Sequence, residues 1–231
     1  MIEETDFETF LFISKNKYQI FVYDKNNLKN LYNKETKIID TIELENLSNF
    51  LDENIYKIEK KINNFIKNII LIIEDEKVLN VSISLKKKNY EKYLDQKYLE
   101  NSLVEVKDVF RENYQDQIIM HMIIVNSDKN ENNLQLNNVI NNDCLFLEVK
   151  FISIPNNLTF YFDKLLENYQ IKIRRFMSGN YIKNYFNEED ETDLSMMANK
   201  LNNGLNINEV QLVSKSIENK GFFEKFFQLF S

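Results

Sequence analysis

The sequence predicts an α+β fold in which helices pack on a mainly antiparallel sheet. Apolar residues recur every three or four positions over residues 44–66, which predicts an amphipathic helix. They alternate with polar residues over residues 79–85, which is typical of a strand with one polar face. From residue 44 to residue 176 the order is helix, strand, strand, helix, strand, strand, helix, strand. Consecutive strands can therefore pair, with the helices covering one face of the sheet.

The N-terminal segment predicts a small meander of short strands. Residues 10–24 read FLFISKNKYQIFVYD, which is two apolar runs separated by a turn at residues 14–16. Shorter strand candidates follow at residues 28–33 and 36–40. The helix at 44–66 comes next, and its apolar stripe consists of Leu44, Leu47, Leu51, Ile55, Ile58, Ile62 and Phe65.

The centre of the chain predicts three strands and a second helix. Residues 68–74 (NIILIIE) form a buried strand, and the EDEK turn after them predicts an antiparallel pair with residues 79–85. A helix over residues 95–114 follows. Residues 117–126 (QIIMHMIIVN) are apolar on both faces, which indicates a central strand.

The next part predicts the closing elements of the same sheet. Residues 127–142 form a polar, Asn-rich loop, and residues 143–154 form a long strand that stops at Pro155. A helix to residue 169 and a strand at residues 171–176 complete the pattern. Two short helices and an acidic turn lie beyond them.

The C-terminal residues 221–231 read GFFEKFFQLFS and predict an amphipathic helix. In helical spacing, the phenylalanines fall on one face and Glu224, Lys225 and Gln228 on the other. A polar tether at residues 213–220 precedes them. Such a helix lies in a membrane interface, packs on its own fold, or docks in a partner's groove. The tether favours the membrane interpretation, with the apolar contacts made by Phe222, Phe223, Phe226, Phe227, Leu229 and Phe230.

Composition and charge exclude several classes of function. The net charge of −7 suggests no broad basic patch, so nucleic acid is not an expected partner. The three glycines stand singly, so the chain lacks a Gly-rich phosphate loop. Cys144 is the only cysteine, which excludes an intramolecular disulfide and indicates a reducing compartment. The acidic N-terminus is unlike a signal peptide, and no apolar run reaches about 20 residues, so membrane contact would be peripheral.

The inventory of reactive side chains does not predict an enzyme, a cofactor or a metal site. His121 is the only histidine, and its place in an apolar strand favours a hydrogen-bonded core residue over a general base or ligand. The carboxylates at 74–76 and 188–193 are interpreted as surface charge. Arg174 and Arg175 stand out because arginine is otherwise rare, and they pair either with the acidic turn or with a carboxylate of a partner.

Residues 40–177 resemble the SHS2-type subdomain inserted in the bacterial actin-like cell-division family FtsA. The helix leading into NIILIIE and LNVSISL, the strand IIMHMIIVN with His121, the long strand CLFLEVKFISIP and the closing LTFYFDKLLENYQIKI carry the resemblance. Residues 7–33 are similar to the opening strands of an actin-like half-domain. The FFEKFFQLF tail resembles the family's membrane anchor.

The resemblance implies a division of the chain into five parts. These are an actin-like remnant at 1–40, an SHS2-like interaction module at 41–177, a helical extension at 178–212, a tether at 213–220 and a membrane-binding helix at 221–231.

The departures from the family matter as much for function. FISKNKY stands where an actin-like ATPase has its Asp-x-Gly phosphate turn, and the second half-domain is missing. We therefore expect no ATP binding and no binding of the tubulin-like FtsZ. The resemblance implies a non-enzymatic adaptor in the cytoplasm, peripheral on the inner face of the cell membrane. It would contact division proteins or itself through residues 41–177. The alternative is a scaffold of the pilus-assembly type that binds a partner peptide.

Overall fold

The computed structural model describes residues 7–38, 44–88, 96–125, 140–141, 144–186 and 193–210. These residues fall into two compact units. The first unit draws on Met1–Val78 and Ile154–Asn203, and the second on Leu79–Ser153 and Gly204–Ser231. Residues 79–153 of the second unit are therefore inserted into the sequence of the first, and its remaining segment follows the first unit in the chain. The mixed α+β class predicted from the sequence is confirmed.

The helices and strands follow the predicted order. In chain order they are β1 (Phe7–Ser14), β2 (Lys17–Asp24), β3 (Lys29–Lys37), α1 (Leu44–Ile62), β4 (Asn68–Glu74), β5 (Leu79–Lys88), α2 (Gln96–Asn113), β6 (Gln117–Val125), β7 (Ile140–Asn141), β8 (Cys144–Pro155), α3 (Asn156–Glu167), β9 (Lys172–Ser178), α4 (Gly179–Tyr185) and α5 (Leu194–Asn202).

The first unit is built on a five-stranded mixed sheet with the order β3-β2-β1-β4-β9. β2 runs antiparallel to both β1 and β3, which confirms the predicted meander. β4 runs parallel to β1 on one side and to β9 on the other. This arrangement explains why NIILIIE carries no polar alternation, since a central parallel strand is covered on both faces.

Helices cover both faces of this sheet. Phe10 and Phe12 share a buried cluster with Ile182 of α4 and Leu201 of α5. On the opposite face, Tyr18 packs against Phe50 of α1 with ring centroids 5.9 Å apart. From their second residue onward, β1 and β2 are buried along their whole length. The expectation that helices lie on one face is wrong for this unit, because its strands are apolar on both sides.

The second unit has a sheet with the order β5-β8-β6, and β7 adds to the end of β8. β5 and β8 pair antiparallel without interruption from Leu79 opposite Ser153 to Lys88 opposite Cys144. Along β5, exposed residues alternate with half-buried ones, as the sequence predicted. The buried core between α2 and this sheet consists of Leu99, Leu103, Val106, Phe110, Met122, Ile124, Leu145, Leu147, Val149, Phe151 and Val210.

The pairing of the central strands corrects one sequence-based expectation. β4 and β5 are not an antiparallel pair, because β4 lies between β1 and β9 and β5 pairs with β8. The inserted unit therefore begins at Leu79, whereas the resemblance placed the start of the module at residue 41. α1, β4, α3 and β9 belong to the sheet of the N-terminal strands and not to the inserted module.

Two element boundaries also differ from the expectation. α1 ends at Ile62, and Asn63 follows with a φ of 52°, a left-handed conformation that asparagine tolerates at a helix end. Phe65 consequently leaves the apolar stripe and is 74% exposed. The two short strands predicted after residue 28 are one strand, β3.

Candidate functional site

A cleft of the first unit lies at the carboxyl ends of three parallel strands. Ser14 at the end of β1 pairs with Glu74 at the end of β4, and Ile73 pairs with Ser178 at the end of β9. In open sheets with parallel strands, ligands bind outside the carboxyl ends of the strands. The topology therefore selects this cleft as the candidate site.

Three short segments line the cleft. They are the turn between β1 and β2, the residues that follow β4, and the first turn of α4, which contribute Ser14, Lys15, Asn16, Glu74, Asp75, Glu76 and Asn180. The cavity has a volume of about 280 Å³. Cavities that hold drug-sized ligands usually measure roughly 300–1,000 Å³. The space is therefore small for a nucleotide.

The turn between β1 and β2 is closed by its own side chains. Ser14 Oγ accepts hydrogen bonds from the backbone N–H groups of Asn16 at 3.3 Å and Lys17 at 3.2 Å. Backbone N–H groups in such a turn are the donors that a phosphate would need. Here the serine hydroxyl already occupies both of them.

Carboxylates dominate the opposite side of the cleft. Glu76 forms an ion pair with Lys15, and Glu74 forms one with Lys183 of α4. The hydrogen bond from Lys15 lowers the pKa of Glu76 below its ordinary value, and the positive charge of Lys15 adds to this effect. Asp75 accepts a hydrogen bond from the backbone N–H of Lys77 at 2.8 Å. The two lysines are thus already neutralised, and one carboxylate remains in excess.

Gly179 brings α4 close to the end of β4. A Cβ atom at this position would lie 2.5 Å from Glu74 Cγ and 2.8 Å from Glu74 Oε1. Only glycine allows the helix to begin this near to the glutamate side chain without displacing it. Ser178 begins the helix and accepts a hydrogen bond from the N–H of Tyr181 through its side chain.

The chemistry that this cleft supports is limited. Its excess negative charge repels anions, and its lysines are held by glutamates. Across the described parts of the chain, no group of three or more His, Cys, Asp or Glu side chains could hold a metal ion. We find no nucleophile paired with a base among the lining residues.

The two arginines singled out in the sequence lie on β9 and make contacts inside the first unit. Arg174 Nη1 donates to Glu8 Oε1 at 2.8 Å, and Glu8 also accepts from the side-chain amide of Asn202. Arg175 Nη1 donates to Asn202 Oδ1 at 3.3 Å. Among the described residues, the carboxylate that pairs with Arg174 is Glu8, a buried residue of β1 that the sequence did not indicate.

His121 is a buried core residue, as the sequence favoured. Its Nδ1 lies 2.7 Å from Glu209 Oε1, and the side chains are 0% and 4% exposed. Glu209 belongs to a short segment that pairs with the outer edge of β6. The N–H of Ile124 donates to the carbonyl of Asn208, and the N–H of Val210 donates to the carbonyl of Met122. Nothing in the sequence near His121 indicates Glu209, which is 88 residues from the histidine.

The other predicted site residues lie outside the described part of the chain. These are the tail residues Phe222, Phe223, Phe226, Phe227, Leu229 and Phe230, and the acidic turn before Asp193. Asp193 itself begins α5, where its side chain accepts from the N–H of Ser195. No helix among the described residues is long and apolar enough to cross a membrane.

Comparison with known proteins supports the fold. No protein-family model matches the sequence, and neither does any curated protein. Among solved structures, the PilM–PilN complex of type IV pilus biogenesis is similar to this chain with a TM-score of 0.52 and 8% sequence identity. The similarity covers 77% of this chain and 49% of that one. At this identity the comparison establishes a shared fold.

Two further structures are similar at lower scores. One is a Bacteroides thetaiotaomicron protein with an actin-like ATPase fold and unknown function, with a TM-score of 0.39, 16% identity and coverage of 80% and 58% of the two chains. The other is the cytoplasmic domain of EpsL, an inner-membrane component of the type II secretion system of Vibrio cholerae, with a TM-score of 0.36, 8% identity and coverage of 76% and 57%. These scores are too low to carry an argument. The match with this chain covers between 49% and 58% of the length of each of these three structures.

Proposed function

We propose that this chain is a non-enzymatic scaffold with an actin-like fold, held at the inner face of the cell membrane by its C-terminal phenylalanine-rich segment. The observation that carries the proposal is the acidic, ion-paired cleft at the carboxyl ends of β1, β4 and β9. The resemblance to the actin-like family implies a fold related to ATPases, while in this chain the cleft at the strand ends is lined by carboxylates and their lysine partners.

The resemblance to actin-like ATPases implies ATP as a cofactor, and the residues that line the cleft do not fit it. A triphosphate would meet three carboxylates, and the two nearby lysines are already in ion pairs. The turn N–H groups are bonded to Ser14. We therefore expect titration of the full chain with Mg-ATP in a calorimeter to give no heat of binding. Saturable binding of ATP would contradict the non-enzymatic part of the proposal and leave the membrane part standing.

The membrane part rests on the sequence of residues 221–231. Fully burying one phenylalanine side chain contributes about 1.5–3 kcal/mol. Burial of five phenylalanines is opposed by the cost of ordering a helix of eleven residues, so the net free energy of binding is much smaller than the sum of the burial terms. A single anchor of this kind gives reversible binding.

Liposome co-sedimentation tests the anchor. We expect the full chain to pellet with vesicles, and the double variant Phe226→Asp with Phe227→Asp to stay in the supernatant. The matched control, Gln228→Asp with Ser231→Asp, adds the same charge away from the phenylalanine face and should still pellet. Equal pelleting of both double variants would exclude the phenylalanine face as the anchor.

Two classes of partner protein are candidates for this scaffold. The resemblance in sequence to the FtsA family favours an adaptor that links division proteins to the membrane. The similarity in fold to the PilM–PilN complex favours the alternative, a scaffold of pilus assembly that binds a partner peptide. Affinity capture from cells with the full chain as bait separates the two. Enrichment of division proteins supports the first, and enrichment of an inner-membrane pilus protein supports the second.

A further inference from the structure

Among the described residues, the two sheets end in four edge strands, and three of these edges are obstructed. β3 carries an extra residue, Leu31, where its register with β2 shifts, and four of its nine residues are charged. β9 carries an extra residue, Arg174, where its register with β4 shifts. The outer edge of β6 is occupied by residues 208–210. Bulges, charges and covering segments are the means by which proteins prevent edges from pairing with other chains.

The β5 edge lacks these obstructions. Its ten residues pair with β8 in one unbroken register, and within the described residues no strand pairs with its other side. Its first seven residues, LNVSISL, contain no charge, no proline and no glycine. Charges enter only at its end, with Lys86, Lys87 and Lys88. A long, regular edge of this kind is a template for an added strand.

The side chains of β5 also leave apolar surface uncovered. Val81, Ile83 and Leu85 pack against the core under α2 but are only partly buried. In β8, by contrast, the residues paired with them are at most 1% exposed. An additional strand beside β5 would cover the remaining surface of this row.

We propose that β5 pairs antiparallel with β5 of a second copy of this chain, with Ile83 opposite the partner's Ile83. An interface with two-fold symmetry requires a surface that is complementary to itself. The segment V-S-I-S-L has this property about Ile83. In this register Ser82 faces the partner's Ser84 and Val81 faces the partner's Leu85. The apolar residues of the two copies therefore share one face of the joined sheet, and the serines share the other face.

The lysines at the end of β5 decide the orientation. In the antiparallel register, Lys86 and the partner's Lys86 are six positions apart, about 20 Å at ~3.4 Å per residue. This exceeds the Debye length of about 8 Å at physiological salt. A parallel pairing would instead place the three lysines of each copy opposite one another at about 5 Å, which is destabilising. The charge pattern therefore selects the antiparallel dimer, and the inference does not depend on the proposed membrane anchor.

Substituting charged residues for Ser82 and Ser84 tests this register in the full chain. Both serines are exposed, and within one copy they lie beside Lys150 and Glu148. The variants S82K/S84K and S82E/S84E place like charges opposite each other in the dimer, whereas S82E/S84K places opposite charges there. All variants keep the same C-terminal segment, so association through that segment would be unchanged among them.

Sedimentation equilibrium measures the outcome. We expect the wild type and S82E/S84K to dimerise as concentration rises, and the two like-charged variants each to remain monomers. A mixture of S82K/S84K with S82E/S84E should form dimers again. Circular dichroism checks that every variant is folded. A monomeric wild type at all concentrations, dimers that are insensitive to these substitutions, or failure of the mixture to associate would each overturn the proposal.

Discussion

Replacing Glu209 with alanine should destabilise the second unit substantially. The carboxylate lies 2.7 Å from His121 Nδ1, and the two side chains are 0% and 4% exposed. Because both groups are shielded from solvent, truncation leaves a buried imidazole without this partner. Breaking a buried pair by removing one member costs about 3–5 kcal/mol.

The size of the loss in unfolding free energy depends on which contacts the Glu209→Ala variant retains. The two backbone hydrogen bonds between residues 208–210 and β6 do not require the Glu209 side chain, so the segment can remain paired. We therefore expect the lower end of the range, about 3 kcal/mol, or roughly a 150-fold change in the unfolding equilibrium. Glu209→Gln retains a hydrogen-bond acceptor of the same size and should lose only about 1 kcal/mol.

Urea unfolding followed by far-ultraviolet circular dichroism measures these changes. The chain has no tryptophan and twelve tyrosines, so tyrosine fluorescence gives a second probe. The double variant His121→Leu with Glu209→Leu removes both polar groups, and it should be more stable than Glu209→Ala. If Glu209→Ala unfolds within about 0.5 kcal/mol of the wild type, which is the range of ordinary surface substitutions, the buried pair does not stabilise the unit.

Three further outcomes are expected in the first unit. Gly179→Ala should lower the free energy of unfolding by about 1–3 kcal/mol in a urea titration, because the new Cβ overlaps the side chain at the end of β4; an unchanged midpoint would contradict the close approach. NMR titration of Glu76 should give a pKa below 4.5, so its interaction with Lys15 is present above that pH and is lost as the pH falls through the lowered pKa; Lys15→Met should bring the pKa back toward 4.5. Arg174→Ala should cost about 1 kcal/mol, since Glu8 loses a charge-assisted hydrogen bond while keeping its amide partner, and a stability equal to the wild type would show that this contact is not needed.

The pattern of apolar residues predicted most helices and strands, because helical and strand periodicity depends on residues that are close together in the sequence. The stripe of α1 and the alternation of β5 are visible in the sequence, and both elements form as expected. The pairing of β4 was not predicted, although its seven residues contained the signal. A strand without polar alternation is typical of the centre of a parallel sheet, while LNVSISL is typical of a strand with one polar face.

The candidate site could not be predicted for a different reason. Ser14, Glu74 and Gly179 come from segments far apart in the sequence, and only the parallel pairing of β1, β4 and β9 brings them together. The carboxylates at 74–76 were interpreted as surface charge because nothing near them in the sequence indicates Lys15 or Lys183. The same holds for Arg174, whose partner Glu8 precedes it by 166 residues.

The position of the inserted unit has a consequence for the order of folding. β9 must pair with β4 across a connection of about 100 residues, which raises the entropic cost of closing the first sheet. Leu79 and Ser153 are directly paired, so once the second unit has folded its two ends are neighbours. The flexible part of the connection between β4 and β9 is then about a quarter as long. This lowers the entropic cost of closing it by roughly 1.2 kcal/mol, at ~0.6 kcal/mol per halving. Pairing of β5 with β8 before β4 with β9 is the favoured sequence of events, in which the insertion helps its host sheet to close.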